Sequence, residues 1–360
     1  MFTTDYNNII DKVNSIDPTK YSWNRNFIDG DVTYLSPYIS RGVISTKMVF
    51  DRLMDRGFEV AKIYKFIQEL AWRDYWQQVW IEKGSLIDSD FRHPQKDVEH
   101  HQMPKAIIDA NTGIVAIDSA IQDFYKTGYL HNHVRMYIAS IACNIGKSHW
   151  SIPAKWLYYH LLDADWASNA LSWQWVAGTN SNKLYYANQE NINKYCKTNQ
   201  QGTFLDVPYS AFENLATPTL LKETEMPELK TELPDIKDIN VDSSNSTLIY
   251  NFYNLDPLWK NDINANRILL LEPSHFEKYP ISPKTIDFIV GLSKNIKDIQ
   301  IYVGEFDELF DKHSISDIFY KEHPTNHHYK GIQEERDWIF TVKGYYPSFF
   351  AFWKKCNKEF

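Results

Sequence analysis

Residues 163 to 175, with the sequence DADWASNALSWQW, combine side chains whose types and spacing suit chemistry. Two carboxylates, Asp163 and Asp165, stand two residues apart, and the amide of Asn169 follows one helical turn after the second. An amide both donates and accepts hydrogen bonds, which suits a partner atom whose protonation changes during a redox cycle. Three tryptophans add large aromatic rings. A helix N-cap at either aspartate is the simpler structural interpretation, and it does not exclude a functional one.

A second group of polar side chains lies in the segment ELAWR. Glu69, Trp72 and Arg73 stand at positions i, i+3 and i+4, so a helix places them on one face. The structural alternative is a surface ion pair between Glu69 and Arg73, with Trp72 in the core.

The segment HNHVRM repeats the same spacing. Asn132, Arg135 and Met136 share one helix face, although Met136 alone would be interpreted as core filler. Paired carboxylates such as Asp163 and Asp165 near Arg135 can fix that arginine and balance its charge in a buried site.

Length and charge distribution predict how the chain is divided into domains. A chain of 360 residues predicts two domains. The net charge of -8 is unevenly distributed, because residues 1–200 hold 21 acidic and 21 basic residues whereas residues 201–246 hold 9 and 3. The acidic stretch is rich in Pro, Glu, Asp and Ser and predicts a linker. The predicted domains are therefore residues 1–205 and 247–360, joined by an acidic linker at 206–246.

The two predicted domains differ in hydrophobic periodicity. Apolar residues at helical spacing predict that residues 1–200 are nearly all helix. After residue 246, short β-rich runs surround one helical segment, which predicts a βαβ unit and a small parallel sheet. The runs are TLIYNFY, RILLLEP, IQIYVGE, DIFYKEH and WIFTV, and the helical segment is SPKTIDFIVGLSKN. The predicted fold class is multidomain, α and α/β.

Several other signals bear on the class of protein. The cysteines Cys143, Cys196 and Cys356 are odd in number and far apart, which predicts buried free thiols. Histidine spacing gives no metal motif, so we predict no metal site. No apolar run is long enough to span a membrane and the N-terminus has no signal sequence, which favours a soluble, cytoplasmic protein.

Four motifs together resemble the flavin-binding domain of the DNA photolyase and cryptochrome family. They are, in the family's order, YLSPYISRGVIS at 34–45, ELAWRDYW at 69–76, TGYLHNHVRM at 127–136 and DADWASNALSWQWVAGT at 163–179. The resemblance extends from about Tyr21 to Tyr195. It implies that the mostly helical part is a photolyase-type FAD-binding domain, followed by a smaller α/β module of unknown role with a short parallel sheet.

The resemblance also implies which residues bind FAD. Asp163 and Asp165 match the acids near the isoalloxazine and ribityl groups, Arg135 matches the arginine paired with the first acid, and Asn169 matches the residue facing flavin N5. Asparagine is the usual residue of photolyases at that last position. The residues matched to the phosphate-binding part are Tyr21, Thr33, Leu35 and Ser36.

Further residues match the family's DNA contacts. Those that receive a cyclobutane pyrimidine dimer are Glu69, Trp72, Asn132, Met136 and Trp175. Enzymes for the (6-4) photoproduct tend to have histidines at the positions of Asn132 and Met136, so this chain favours the cyclobutane dimer. Arg25 and Arg73 match phosphate or pocket cations. His133 replaces an arginine of the family motif, which weakens the expected contact with the DNA backbone.

Trp173 and Trp150 match the inner two members of the family's electron-transfer chain. The outermost tryptophan is absent from FRHPQKDVEHHQMPKA, so the exit is expected to use Trp156 or a tyrosine. The flavin domain is expected to begin almost at Met1, so we expect the family's usual N-terminal α/β antenna domain to be absent. An antenna pigment is left open by the sequence.

The expected activity is light-driven repair of pyrimidine dimers in single- or double-stranded DNA by electron transfer from reduced FAD. A cryptochrome-like blue-light sensor without repair is the alternative. A flavin-binding scaffold without photochemistry is a third possibility.

Overall fold

The computed structural model describes residues 2–236, 238–313 and 315–360. The chain forms two compact units. The first unit consists of residues 2–17, 33–82 and 230–360, and the second of residues 18–32 and 83–229. These units do not coincide with the boundaries predicted at residues 205 and 246, because residues 33–82 belong to the same unit as the C-terminal part of the chain.

The helices confirm the helical character predicted for the N-terminal part. In chain order they are α1 (Tyr6–Ser15), α2 (Tyr21–Asn24), α3 (Ser36–Ser40), α4 (Thr46–Asp55), α5 (Val60–Lys83), α6 (Lys105–Ile108), α7 (Val115–Thr127), α8 (Asn132–Ala139), α9 (Ser151–His160), α10 (Trp166–Val176), α11 (Gln189–Cys196), α12 (Pro273–Lys278), α13 (Pro283–Ser293), α14 (Phe306–Lys312) and α15 (Phe349–Cys356). A π-helix, Ser140–Ile145, continues α8.

The strands confirm the predicted parallel sheet. They are β1 (Met103–Pro104), β2 (Thr224–Glu225), β3 (Ser246–Tyr250), β4 (Ala265–Leu271), β5 (Ile299–Val303), β6 (Ser316–Lys321) and β7 (Ile332–Glu334). The five-stranded sheet of the first unit has the order β5-β4-β3-β6-β7 and is parallel throughout. β3 and β4 are almost continuously buried, as expected of central strands in a parallel sheet.

One predicted strand is wrong. The segment WIFTV at 338–342 is irregular, and the edge strand is β7 instead. Two of its polar groups bond to side chains rather than to a neighbouring strand. The indole Nε1 of Trp338 donates to Glu322 Oε1 at 2.9 Å, and the backbone N–H of Ile339 donates to Asp74 Oδ2 at 2.9 Å. The aromatic and β-branched residues of WIFTV are explained by burial. Their presence therefore did not indicate pairing with a neighbouring strand.

Helix α5 organises the first unit. Its buried residues recur every three or four positions, as in an amphipathic helix, and include the carboxylate of Asp74. Asp74 accepts hydrogen bonds from Thr46 Oγ1 on α4 at 2.9 Å and from the N–H of Ile339. Burial raises the pKa of Asp74 to about 6, although these two hydrogen bonds and the charges of Arg336 and Arg73 favour its ionised form. Asp74 thus joins three distant segments of the first unit.

The second unit contains α2 and α6–α11. Gly128 ends α7 in the left-handed conformation (φ 70°), which glycine adopts without steric cost. Part of the predicted linker also belongs to this unit, since β2 pairs with β1 in the register Met103↔Glu225.

The predicted free thiols are confirmed, because Cys143, Cys196 and Cys356 are all buried and unpaired. Within the described ranges, no helix has both the length and the apolar character that crossing a bilayer requires.

The first unit should lose stability in acid through His275 on α12. Burial, reinforced by the charges of Arg41, Lys278 and His328, lowers the pKa of His275 from 6.5 to about 3. A depressed folded-state pKa gives stability that is present above pH 6.5 and is lost as pH falls, since the unfolded state binds the proton first. Between pH 7 and pH 5 we expect the free energy of unfolding to fall by about 2 kcal/mol more in the wild type than in His275→Phe. Urea titrations at both pH values measure this difference, and parallel losses in the two proteins would contradict it.

Candidate functional site

The predicted site residues are divided between the two units. In the first unit they are Thr33, Leu35, Ser36, Glu69, Trp72 and Arg73. In the second unit they are Tyr21, Arg25, Asn132, His133, Arg135, Met136, Trp150, Asp163, Asp165, Asn169, Trp173 and Trp175. Both predicted electron-transfer residues and most of the predicted flavin contacts therefore belong to the second unit.

A buried ion pair joins α8 to the loop before α10. Arg135 Nη2 lies 3.1 Å from Asp163 Oδ1 and 3.0 Å from Asp163 Oδ2, so both carboxylate oxygens are engaged. The Asp163 side chain is only 4% exposed and that of Arg135 is 21% exposed. Arg135 Nε also donates to the carbonyl of Leu130 at 2.8 Å, which fixes the plane of the guanidinium. The pairing predicted between Arg135 and the first acid is present in the structure.

Asp165 and Asn169 are buried at the start of α10. Asp165 is the N-cap of this helix, because its Oδ1 accepts from the N–H of Ser168 at 2.8 Å. Asn169 Nδ2 donates to the carbonyl of Ala154 at 2.8 Å, which fixes the orientation of the amide. The simpler interpretation of Asp165 as a cap is therefore correct, and its burial is compatible with the functional interpretation as well.

The three tryptophans of α10 have two different environments. Trp166 and Trp173 are 1% and 2% exposed, whereas Trp175 is 42% exposed. The Trp166 indole donates from Nε1 to Asp88 Oδ1 at 2.6 Å. Helix α10 therefore buries two indoles and presents a third at its surface, where a large apolar ring is available to a ligand.

The other predicted electron-transfer residue, Trp150, is fully buried at the N-terminus of α9. Its Nε1 donates to Asp90 Oδ1 at 2.8 Å, and the same oxygen lies 3.1 Å from His149 Nε2. Trp156, considered as an alternative exit, is only 1% exposed and donates to Tyr125 Oη at 3.2 Å.

The HNH segment at the start of α8 has a mixed environment. Asn132 is exposed and Met136 is partly buried. Burial, together with the charges of His131 and Arg25, lowers the pKa of His133 to about 4. His133 is thus neutral at pH 7, and any contact it makes with a phosphate would be a hydrogen bond rather than an ion pair.

Glu69 and Arg73 do not form the surface pair considered in the sequence analysis. Glu69 Oε1 pairs with Lys65 Nζ at 2.8 Å, one helical turn earlier, and both side chains are 31% exposed. Arg73 Nη1 instead donates to Ser40 Oγ at 2.6 Å. Trp72, between them on the same face, is partly exposed rather than core, and Phe349 of α15 stacks on its ring.

Three of the predicted phosphate-binding residues, Thr33, Leu35 and Ser36, lie beside Tyr34 at the start of α3. Tyr34 has a positive φ of 54°, an uncommon conformation for a residue with a side chain. Leu35 is only 1% exposed as a whole residue, whereas Thr33 and Ser36 are partly exposed. In the second unit, Tyr21 begins α2 and is also partly exposed.

Three neighbours of these residues were not predicted from the sequence. Lys65 stands four positions before Glu69, a spacing that could have indicated it. Asp90 is 60 residues from Trp150, and Phe349 is more than 270 residues from Trp72, so no local pattern indicated either. Among the described residues, no group of three or more His, Cys, Asp or Glu side chains is arranged to hold a metal ion.

Comparison with known proteins finds sequence similarity to one family. The model of the FAD-binding domain of DNA photolyase matches residues 66–240. The chain is 32% identical over 157 residues to the deoxyribodipyrimidine photo-lyase of Streptomyces griseus, covering 42% of this chain and 33% of that protein. It is 30% identical over 165 residues to the enzyme of the same name from Thermus thermophilus, covering 44% and 38%. The chain thus spans less than two fifths of the length of these two relatives.

A cryptochrome from Synechocystis sp. is a structural neighbour. It shares 21% sequence identity with this chain, with a TM-score of 0.46 and coverage of 53% of this chain and 43% of the cryptochrome.

Proposed function

Because the chain belongs to the DNA photolyase and cryptochrome family and carries its FAD-binding domain, we propose that it repairs cyclobutane pyrimidine dimers in DNA with light. The proposal goes beyond family membership in naming the lesion and the residues that act on it.

The donors and acceptors of the second unit fit FAD. Asp163 and Asp165 are buried carboxylates that can accept from N–H and hydroxyl groups, and Asn169 is a buried amide with a fixed orientation. We assign Asp163, Asp165 and Asn169 to the isoalloxazine and ribityl groups and Arg135 to the support of Asp163. Tyr21, Thr33, Leu35 and Ser36 are assigned to the phosphates.

Reduced FAD held by these residues would supply, under blue light, an electron that opens the two cyclobutane bonds and is then returned, with no net redox change. The protein contributes orientation and excludes water. Trp173 and Trp150 are assigned to the delivery of electrons that keep the cofactor reduced, since an indole is oxidised more readily than other side chains of similar size.

The observation that carries the proposal is the exposed indole of Trp175. An indole that is 42% exposed, on a helix whose other two tryptophans are buried, favours a stacking partner from outside the protein. Stacking of a base on an aromatic side chain is worth about 1–3 kcal/mol, which offsets the few kcal/mol needed to flip a damaged base. Trp72, Asn132 and Met136 are assigned as further lesion contacts, and Arg25, Arg73 and His133 as contacts with the DNA backbone.

A repair assay tests the proposal. The purified protein is loaded with FAD, reduced, mixed with an oligonucleotide containing a thymine dimer in single- or double-stranded form, and illuminated with blue light. We expect the thymine pair to be restored only in the light. Light-dependent changes in the flavin spectrum without repair would favour the sensor alternative instead, and no spectral change would favour a scaffold without photochemistry.

Glu69 provides a sharper test at one residue. We assign its carboxylate to a hydrogen bond with the edge of the flipped base. A hydrogen bond to a charged group contributes about 1.5–3 kcal/mol, so Glu69→Ala should lower repair efficiency about tenfold to a hundredfold while the protein stays yellow.

Lys65→Ala is the matched control, because it removes the 2.8 Å ion pair with Glu69 and leaves the carboxylate in place. Repair should remain close to that of the wild type. Equal losses in the two variants would show that Glu69 acts only through the ion pair.

A further inference from the structure

The C-terminal helix α15 contributes a row of aromatic rings that ends at Trp72. The rings of Phe349 and Trp72 are parallel within 10°, with centroids 3.8 Å apart. On the same helix, Trp353 lies 6.0 Å from Phe349 with an interplanar angle of 14°. Along the row from Trp353 through Phe349 to Trp72, neighbouring rings are therefore nearly parallel.

The two ends of this row differ in their exposure to solvent. Trp353 is buried, and its Nε1 donates to Tyr64 Oη on α5 at 2.7 Å. Phe349 is only 2% exposed and also meets Tyr75 edge-on at 5.8 Å. Trp72 is the member of the row that keeps part of its surface exposed. Its neighbour Trp76 is tilted by 41° and does not stack on it.

The spacing along each helix explains this arrangement. Tyr64 and Trp72 are eight residues apart on α5, and Phe349 and Trp353 are four residues apart on α15, so each pair lies on one helix face. Parallel aromatic rings prefer offset stacking, and a ring held in this way from one side cannot rotate without losing that contact.

We propose that Phe349 is a positioning residue for lesion binding, which holds the indole plane of Trp72 so that a flipped pyrimidine extends the row of stacked rings by one member. This inference rests on the proposed function. It assigns to the C-terminal helix a part in recognising damaged DNA, through a residue that itself touches no substrate.

The test compares the affinities of the full-length, FAD-loaded protein for dimer-containing and undamaged oligonucleotides, measured by fluorescence anisotropy in the dark. Phe349→Leu removes the planar ring but keeps a large apolar side chain. We expect it to bind the dimer about tenfold more weakly, with unchanged affinity for undamaged DNA. Phe350→Leu, at a position that is 68% exposed on the same helix, is the matched control and should bind like the wild type.

A double-mutant cycle separates positioning from general destabilisation. If Phe349 acts through Trp72, the pair Trp72→Leu and Phe349→Leu should bind the dimer no more weakly than Trp72→Leu alone. Should Phe349→Leu fail to fold, Phe349→Met replaces it with a flexible side chain of similar volume. Additive losses, or wild-type dimer affinity in a folded Phe349 variant, would overturn this inference alone. A wild-type protein that does not prefer the dimer would overturn the proposed function as well.

Discussion

Replacing Arg135 with methionine is expected to lower the free energy of unfolding by about 3–5 kcal/mol, because the carboxylate of Asp163 would remain buried without its charge partner. The side chain of Asp163 is 4% exposed, so bulk water solvates its carboxylate poorly. We also expect this variant to be purified without FAD, since Asp163 would no longer be held in its orientation. Chemical unfolding and the absorption spectrum of the purified protein measure the two effects.

Lys126→Met is the control for charge removal. It breaks the ion pair between Lys126 and Asp123, whose side chains are 71% and 72% exposed. Exposed ion pairs contribute little to stability. A double variant, Arg135→Met with Asp163→Asn, should recover part of the lost stability because no unpaired charge is then buried. If Arg135→Met were as stable as Lys126→Met, the buried ion pair would not have the structural role assigned to it.

Replacing Trp173 with phenylalanine should almost abolish light-driven reduction of oxidised FAD. A phenyl ring does not lose an electron as readily as an indole, while the loss of volume at this buried position is small. Repair should persist when the flavin is reduced chemically before illumination, since Trp173 is not assigned a role in contacting the lesion. The flavin spectrum under blue light, with an external thiol as electron donor, measures the first effect, and the repair assay measures the second.

Trp166→Phe is matched in helix and in burial, because Trp166 is also on α10 and only 1% exposed. Trp166 is not assigned to electron transfer. The FAD of Trp166→Phe should therefore be reduced by light at the wild-type rate. Wild-type photoreduction in Trp173→Phe would place the electron pathway elsewhere in the chain.

Local sequence patterns predicted the helices and strands better than they predicted how these are grouped into the two units. Four of the five predicted β-rich runs overlap β3–β6. The assignment of residues 33–82 to the same unit as the C-terminal part was not predicted, because it depends on contacts between segments distant in sequence. The bond from the N–H of Ile339 to Asp74 and the stacking of Phe349 on Trp72 are examples.

In the candidate site, too, some side-chain partners were predicted from the sequence and others were not. The pairing of Arg135 with Asp163 was predicted from the family resemblance and is present at 3.0 Å. The partner of Glu69 was not predicted, because Lys65 and Arg73 are both one helical turn away and helical spacing alone does not choose between them. Arg73 bonds to Ser40 instead, a partner that depends on the position of α3.

The discontinuous first unit has a consequence for biosynthesis. Its segment 33–82 leaves the ribosome long before residues 230–360, and the intervening chain takes on the order of 10 s to translate at about 5–20 residues per second. During that interval the nascent α5 lacks α15, whose Phe349 and Phe352 pack against Trp72 and Tyr75 in the folded unit. The emerging polypeptide therefore presents Trp72 and Tyr75 to solvent until the last helix has been synthesised.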